Sequence, residues 1–246
     1  MIVYKKAKNI LIKSKINIKN EIISSSKSLN RINVLDIYCP VDYPAGTNAA
    51  FDGFAINSKD ALKLNKKSYK EFKILKSISA GDNPKINKVK KFQTVEVMTG
   101  ALIPKFFDTI IPIEKIVFTK DKKFIVINEK IKKNQHIRLI GSDYKKKELI
   151  VKKGTIIQPS HILAFKTLGI KNIKVKKKIN VLFFSTGNEI SDNINIANWK
   201  VRNSNSHYIK SLSNNFLFNY MDGGILRDKD ELFFKQQIEK NLKSEI

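Results

Sequence analysis

The sequence has very little cysteine, since Cys39 is the only one among 246 residues. A single thiol excludes an intramolecular disulfide and any zinc or iron–sulfur site built from several cysteines. This is typical of a reducing compartment, so we expect a cytoplasmic location. The sequence also lacks a long apolar run, because lysines interrupt the apolar residues from the start (MIVYKKAKNILIKSKINIKN). It therefore predicts neither a signal peptide nor a membrane span, and no membrane partner.

Acidic residues and arginine are also scarce. The chain has 22 acidic residues against 47 basic ones, which gives a formal charge of +25, and only four of the basic residues are arginine. Such a surface attracts anions of any kind, although abundant lysine, isoleucine and asparagine are also what an AT-biased genome encodes. Charge alone does not choose among these anions, but because the lysines show no interleaved aromatic residues, we expect no specific nucleic-acid partner. A nucleic-acid binder is the open alternative, and it predicts affinity that falls steeply with salt.

The three histidines lack the spacing of a metal site. His136, His161 and His207 are far apart in the sequence, which favours surface or capping roles. No glycine-rich dinucleotide fingerprint, phosphate-binding P-loop or zinc motif is present. The sequence therefore predicts none of these standard metal or nucleotide sites.

What the sequence does contain is a succession of segments with different hydrophobic periodicities. Residues 69–127 hold short β-like runs separated by turn residues, which predicts a small mixed-β domain. A helix capped by Ser160 and closed by Gly169 is predicted next. From residue 179 the pattern indicates strand, helix, strand and helix, which is part of a doubly wound α/β domain. The expected fold class is therefore α/β and mixed β, with several domains.

Two Thr-Gly pairs follow predicted strands. The segment KINVLFFSTGNEI is a continuous apolar run that ends in small residues, which predicts a buried parallel strand whose carboxyl end could bind a ligand. Thr186 and Gly187 lie at that end, and Thr99 belongs to a similar pair in VMTGALIP. Each pair offers a hydroxyl and backbone N–H groups that could receive an anion.

Four acidic residues lie in predicted loops, in the contexts FDGF, GSDY, TGNE and LRDK. They are Asp52, Asp143, Glu189 and Asp228. Taken one at a time, such residues usually cap helices or stabilise turns. If their side chains converge, however, they could hold Mg²⁺ against a phosphate, since this ion prefers a few carboxylates together with substrate oxygens.

In this order the segments resemble the molybdopterin molybdenumtransferases, the family of bacterial MoeA and the gephyrin E domain. The segments that carry the resemblance are DYPAGTNAAFDGFAI, VMTGALIP, IRLIGSDYKKKELIVKKGTII, LGIKNIKVKKKINVLFFSTGNEI and GILRDKDELF. The resemblance extends from Asn30 to the last residue of the sequence.

The resemblance implies an enzyme of molybdenum cofactor biosynthesis, which inserts molybdate into adenylylated molybdopterin and releases AMP in a Mg²⁺-dependent step. It also implies anionic small-molecule substrates, a homodimer and a molybdopterin adenylyltransferase as a further partner. The catalytic residues would line one cleft and hold the metal ion. The implied catalytic and metal-binding residues are Asp52, Asp143, Glu189 and Asp228. The implied substrate-binding residues are Thr99, Arg138, Thr186 and Gly187.

The resemblance further divides the chain into four stretches. We expect an N-terminal helix and the first part of a connector domain in residues 1–44, and an inserted β-rich domain in residues 45–137. The second part of the connector domain would follow in residues 138–178. Residues 179–246 would form an incomplete α/β molybdopterin-binding domain.

The sequence departs from the family pattern at three residues, which are Ala49, Phe106 and Asn188. The family also continues past the point that corresponds to Ile246, with a Ser-Gly-Gly loop and a C-terminal β domain. We therefore expect an incomplete chain that is inactive by itself. The alternative is a non-catalytic protein of the same family that keeps a pterin-binding or scaffold role.

Overall fold

The computed structural model describes residues 2–13, 17–213 and 218–244. The helices in these ranges are α1 (Tyr4–Lys13), α2 (Pro159–Thr167), α3 (Ser204–Ser213) and α4 (Glu231–Ser244). The strands are β1 (Asn20–Ser24), β2 (Ile37–Tyr38), β3 (Asn48–Ala49), β4 (Gly53–Ile56), β5 (Lys70–Ile78), β6 (Gln93–Val97), β7 (Thr109–Pro112), β8 (Val117–Phe118), β9 (Phe124–Ile127), β10 (Ile137–Arg138), β11 (Leu149–Val151), β12 (Asn172–Lys176), β13 (Ile179–Thr186), β14 (Ile190–Ser191), β15 (Val201–Arg202) and β16 (Phe218–Leu226). No helix in the described ranges is both long enough and apolar enough to cross a membrane.

The chain forms two compact units. The inserted unit consists of residues 38–149, and the discontinuous unit consists of residues 1–37 and 150–246. The four stretches expected from the sequence stay a prediction at their individual bounds.

The inserted unit contains a six-stranded sheet in the order β7-β4-β6-β5-β9-β8. The pair β5 and β6 is parallel, whereas the other neighbouring pairs are antiparallel. Successive side chains of a strand point to opposite faces, and β4 accordingly places Ala55 in one core cluster and Phe54 and Ile56 in another. The mixed-β prediction is confirmed, and β4 is buried on both faces.

The discontinuous unit contains the antiparallel pair of β1 and β12. Helix α2 contributes Phe165 to a small core that also contains Ile173 and Val175 of β12. Gly169 ends the helix as predicted, since it has a left-handed φ of 72° that suits glycine. The predicted cap at Ser160 is wrong, because Ser160 lies inside the helix. Instead, the side chain of His161 accepts a hydrogen bond from the N–H of Gln158 at 3.1 Å, so this histidine has the predicted capping role.

The discontinuous unit also contains the parallel pair of β13 and β16. In this pair Ile179 lies opposite Phe218 and Thr186 lies opposite Leu226. The predicted order of strand, helix, strand and helix is confirmed, with the short parallel pair β14 and β15 added after β13. The prediction that β13 is buried is wrong, since most of its residues are only half-buried. The reason is that β16 is its only paired strand within the described ranges.

Candidate functional site

Asp52 lies at the bend between β3 and β4, and its carboxylate reaches a residue far away in the sequence. Its Oδ1 accepts hydrogen bonds from the backbone N–H of Thr99 at 2.6 Å and from the Thr99 hydroxyl at 2.7 Å. The two hydrogen bonds hold the pKa of Asp52 below its usual value, the backbone bond having the larger effect. They favour the ionised form. Asp52 is therefore a fixed negative charge at neutral pH.

The position of Asp52 depends on the glycine that follows it. A Cβ atom on Gly53 would lie 2.1 Å from the carbonyl oxygen of Ile111 on the neighbouring strand β7. The backbone oxygen of Asp52 also accepts a hydrogen bond from Ile113 at 3.0 Å. The close approach of two backbones, which only glycine permits, thus fixes the start of β4 and the carboxylate next to it.

Arg138 and Asp143 form an ion pair with each other in the inserted unit. The guanidinium donates from Nε to Oδ1 at 3.1 Å and from Nη2 to Oδ2. The pairing raises the pKa of Arg138 and lowers the pKa of Asp143. The ring of Tyr43 lies 5.7 Å from the guanidinium carbon, at cation–π distance. The guanidinium of Arg138 therefore binds the carboxylate of Asp143.

Asn48 links these two groups. It lies opposite Arg138 in the antiparallel pair of β3 and β10, so the two side chains share one face. Its Nδ2 donates to the carbonyl of Gly100, the neighbour of Thr99, at 3.1 Å. Its buried Oδ1 has no hydrogen-bond partner among the described residues. The inserted unit therefore gathers two carboxylates, an arginine, a hydroxyl and an amide in one neighbourhood.

The second set of predicted residues lies in the discontinuous unit, at the carboxyl ends of β13 and β16. Thr186 is the last residue of β13, and the loop continues through Gly187 to Glu189. Gly187 has a φ of 147°, and a Cβ there would lie 2.6 Å from both carboxylate oxygens of Glu189. Glycine therefore leaves room for this exposed carboxylate, at the sheet edge where ligands of parallel sheets bind.

Arg227 fixes the loop after β13. Its Nη1 donates to three carbonyl oxygens, those of Gly187 at 2.7 Å, Asn188 at 3.0 Å and Ile190 at 2.8 Å. Carbonyls that are bound by one charged donor must all turn toward it. The loop thereby has a single backbone arrangement.

Asn188 and Asp228 join the two loops of this edge. The Asn188 amide donates to Oδ2 of Asp228, and its Oδ1 accepts from the Asp228 backbone N–H at 3.3 Å. An ionised aspartate at position 188 would lack this donor. The departure from the family pattern at Asn188 therefore keeps a hydrogen-bond donor for Asp228.

The predicted metal site depends on which possible metal ligands lie close together. Among the residues that the structure describes, no three His, Cys, Asp or Glu side chains lie close enough together to hold a metal ion. Mg²⁺ commonly uses only one or two carboxylates, together with water and substrate phosphates. Asp52 fits that requirement, because its second oxygen accepts no hydrogen bond from a described residue. The carboxylates fit an ion that binds together with a substrate.

The structure thus groups the predicted residues by unit. The inserted unit holds Asp52, Thr99, Arg138 and Asp143, and the discontinuous unit holds Thr186, Gly187, Glu189 and Asp228. Sequence reasoning missed Asn48 and Arg227. A signal for Arg227 existed, since it is one of four arginines and follows an apolar segment. The buried Oδ1 of Asn48 could not be predicted from the sequence.

Comparisons of sequence and of structure both find similarity to MoeA proteins. Residues 2–169 match the model of the family described as MoeA N-terminal region (domain I and II). A molybdopterin molybdenumtransferase of Staphylococcus aureus (strain Mu50 / ATCC 700699) is 34% identical over 193 residues, which are 78% of this chain and 45% of that protein. One of Staphylococcus epidermidis (strain ATCC 12228 / FDA PCI 1200) is 29% identical over 213 residues, which are 86% of this chain and 50% of that protein. The chain therefore spans about half the length of the curated relatives it matches.

Solved structures show the same likeness. A molybdopterin biosynthesis MoeA protein from Pyrococcus horikoshii OT3 matches with a TM-score of 0.84 and 27% identity, over 99% of this chain and 64% of that chain. Another crystal structure of a Pyrococcus MoeA protein matches with a TM-score of 0.83 and 29% identity, over 97% of this chain and 60% of that chain.

Proposed function

The chain belongs to the MoeA family, and from this premise we propose that it acts in molybdenum cofactor biosynthesis as a molybdopterin molybdenumtransferase. The proposed reaction inserts molybdate into adenylylated molybdopterin and releases AMP. The observation that carries the proposal is Asp52, whose ionised form is stabilised by two hydrogen bonds from Thr99 and whose second carboxylate oxygen accepts no hydrogen bond from a described residue.

We propose that Asp52 is a ligand of Mg²⁺ when the substrate is bound. Thr99 would fix the direction of the free carboxylate oxygen, so that little conformational entropy is lost on binding. Bound Mg²⁺ would supply neutralising charge to the oxygens of the phosphoanhydride. Within the discontinuous unit, Glu189 and Asp228 are the carboxylates that we propose for catalysis and metal binding.

Arg138 would bind the anionic oxygens of the substrate by exchanging its partner. The side chains of Arg138 and Asp143 are 46% and 32% exposed, and exposed ion pairs are weak. A phosphate or molybdate oxygen that competes for the guanidinium fork would release Asp143. The freed carboxylate of Asp143 would then be available to a cation.

The loop after β13 is proposed to bind an anionic group of the substrate. The Thr186 hydroxyl and the backbone at Gly187 are the donors proposed for an anionic group there. Arg227 would keep this backbone in one arrangement, since it already binds three of its carbonyls. These interactions orient the substrate, which is the main contribution that positioning groups make to a transfer reaction.

We extend the proposal to the surroundings in which the protein works. It would be a cytoplasmic homodimer and would receive its substrate from a molybdopterin adenylyltransferase. Light scattering at several concentrations would measure the molar mass, and a concentration-independent monomer would contradict the homodimer.

AMP release from adenylylated molybdopterin, with molybdate, Mg²⁺ and the C-terminal part of a family member supplied in trans, tests the proposed reaction. We expect Asp52→Ala to reduce AMP release at least about a hundredfold, the usual scale for a group that stabilises transition-state charge. Asp121→Ala is the matched control, because Asp121 is also an exposed aspartate of the inserted unit that accepts a threonine hydroxyl hydrogen bond, at 2.7 Å. Equal losses in both variants would contradict a specific role for Asp52.

A non-catalytic scaffold of the same family is the second candidate, and the Arg138–Asp143 pair favours it, since each group already has an opposite charge. Binding of adenylylated molybdopterin, followed by the fluorescence of the pterin, separates the two candidates. Binding without AMP release, with the C-terminal part of a family member supplied in trans, would indicate the scaffold. Absence of both binding and AMP release would contradict both candidates.

A further inference from the structure

The inserted unit carries a groove that is lined by none of the candidate-site residues. One cavity of about 660 Å³ is lined by the segments 83–87 and 103–106. A second cavity of about 360 Å³ is lined by residues of 57–60, 89–93 and 106–107. Phe106 lines both cavities. We call the two cavities together the Phe106 groove.

The floor of the Phe106 groove is apolar and rests on the core. Ile103 and Phe107 are buried members of the core cluster on one face of the six-stranded sheet. Ile86 and Val89, from the opposite wall, pack against the same cluster. Phe106 itself is half-buried. A floor supported in this way is preformed, as ligand sites usually are.

The rim of the Phe106 groove is strongly basic. Five lysines and one carboxylate, that of Asp60, line the two cavities. The lysines are Lys59, Lys85, Lys90, Lys91 and Lys105. None of them forms an ion pair with a residue in the described part of the chain. The rim therefore presents uncompensated positive charge around an apolar floor.

We propose that the Phe106 groove binds an acidic peptide segment of a partner protein, with apolar side chains in the two cavities and carboxylates on the lysine rim. The charge of the rim is complementary to such a segment, and apolar anchors in pockets are what most interfaces depend on.

The shape of the groove argues against the two other polyanions that a basic surface attracts. A lipid bilayer is bound by apolar side chains that project outward, whereas this apolar surface is concave. Single-stranded nucleic acid is bound by successive exposed aromatic rings, whereas Phe107, next to Phe106, is 6% exposed and belongs to the core. A peptide can place single side chains into both cavities.

Fluorescence anisotropy with the full chain and a labelled peptide that alternates glutamate with leucine and phenylalanine tests this proposal. We expect Phe106→Ala to weaken binding about tenfold, and the double variant Lys85→Glu, Lys105→Glu to weaken it at least as much. Tyr69→Ala and the double variant Lys120→Glu, Lys122→Glu are the matched controls, since all three residues are exposed in the same unit and line neither cavity. Both controls should bind within about twofold of the unmodified chain.

Three results would overturn the proposal. One is an equal loss in the Lys120→Glu, Lys122→Glu control, which would indicate a general effect of net charge. Another is unchanged binding in both groove variants. The third is tighter binding of single-stranded oligonucleotides, or of vesicles of anionic lipid, than of the peptide. The lysine variant keeps the test decisive if Phe106→Ala does not fold, because its substitutions lie on the exposed rim.

Discussion

Replacement of Gly53 by alanine should destabilise the inserted unit through a collision of two strands. Gly53 pairs with Val97 on one side and with Pro112 on the other, and its φ is not in the left-handed region. The added Cβ would lie 2.1 Å from the carbonyl oxygen and 2.9 Å from the carbonyl carbon of Ile111. Both atoms belong to the backbone of β7, so no side chain can rotate away to make room.

The size of the collision sets the expected loss. Ordinary contact begins at 3.4 Å, so the shortfall to the oxygen is 1.3 Å, and β4 and β7 would have to separate where their hydrogen bonds hold them. Overpacking of this kind costs up to about 3 kcal/mol. With a urea dependence of about 2 kcal/mol per molar, the midpoint of unfolding should fall by about 1.5 M.

Urea unfolding followed by far-UV circular dichroism measures this loss, with Gly81→Ala as the control. Gly81 has a φ of 92° and no atom within 4 Å of an added Cβ, so only the left-handed backbone is penalised, by about 1 kcal/mol. The control should shift the midpoint by about 0.5 M. A shift for Gly53→Ala no larger than that of Gly81→Ala would refute the close approach of β4 to β7.

Two further predictions concern the candidate site. Thr99→Ala removes a hydroxyl donor and should raise the pKa of Asp52, which carbon-13 NMR titration of the carboxylates would show; the pKa of Asp121 should not change. Because the folded pKa of Asp52 is lowered, its contribution to stability is present above the unfolded pKa and is lost as the pH falls through the folded pKa. Arg227→Ala should speed hydrogen exchange in residues 187–190, since three carbonyls there lose their donor; unchanged exchange would contradict the role of Arg227.

The elements that the sequence predicted correctly have local causes. The apolar run of β13 and the glycine at position 169 each determine the structure of only a few neighbouring residues. The parallel β13, the end of α2 and the β-rich character of residues 69–127 could therefore be predicted. The burial of β13 could not, because burial depends on how many other strands lie beside it.

The contacts of the candidate site show the same division. Arg138 and Asp143 are five residues apart, and their pairing follows from a short turn. Asp52 and Thr99 are 47 residues apart, and their contact requires the pairing of β4 with β6, which no spacing in the sequence reveals. The candidate residues could be predicted from the sequence because they lie in loops next to glycine or at strand ends. Their hydrogen-bond partners could not be predicted, since those contacts depend on the fold.

The pairing of β1 with β12 imposes an order on folding during synthesis. Glu21 lies opposite Val175, and the whole inserted unit lies between them in the chain. At a synthesis rate of about 5–20 residues per second, the ribosome needs on the order of ten seconds to make this stretch. The inserted unit can fold in that interval, whereas β1 cannot pair until β12 has been synthesised.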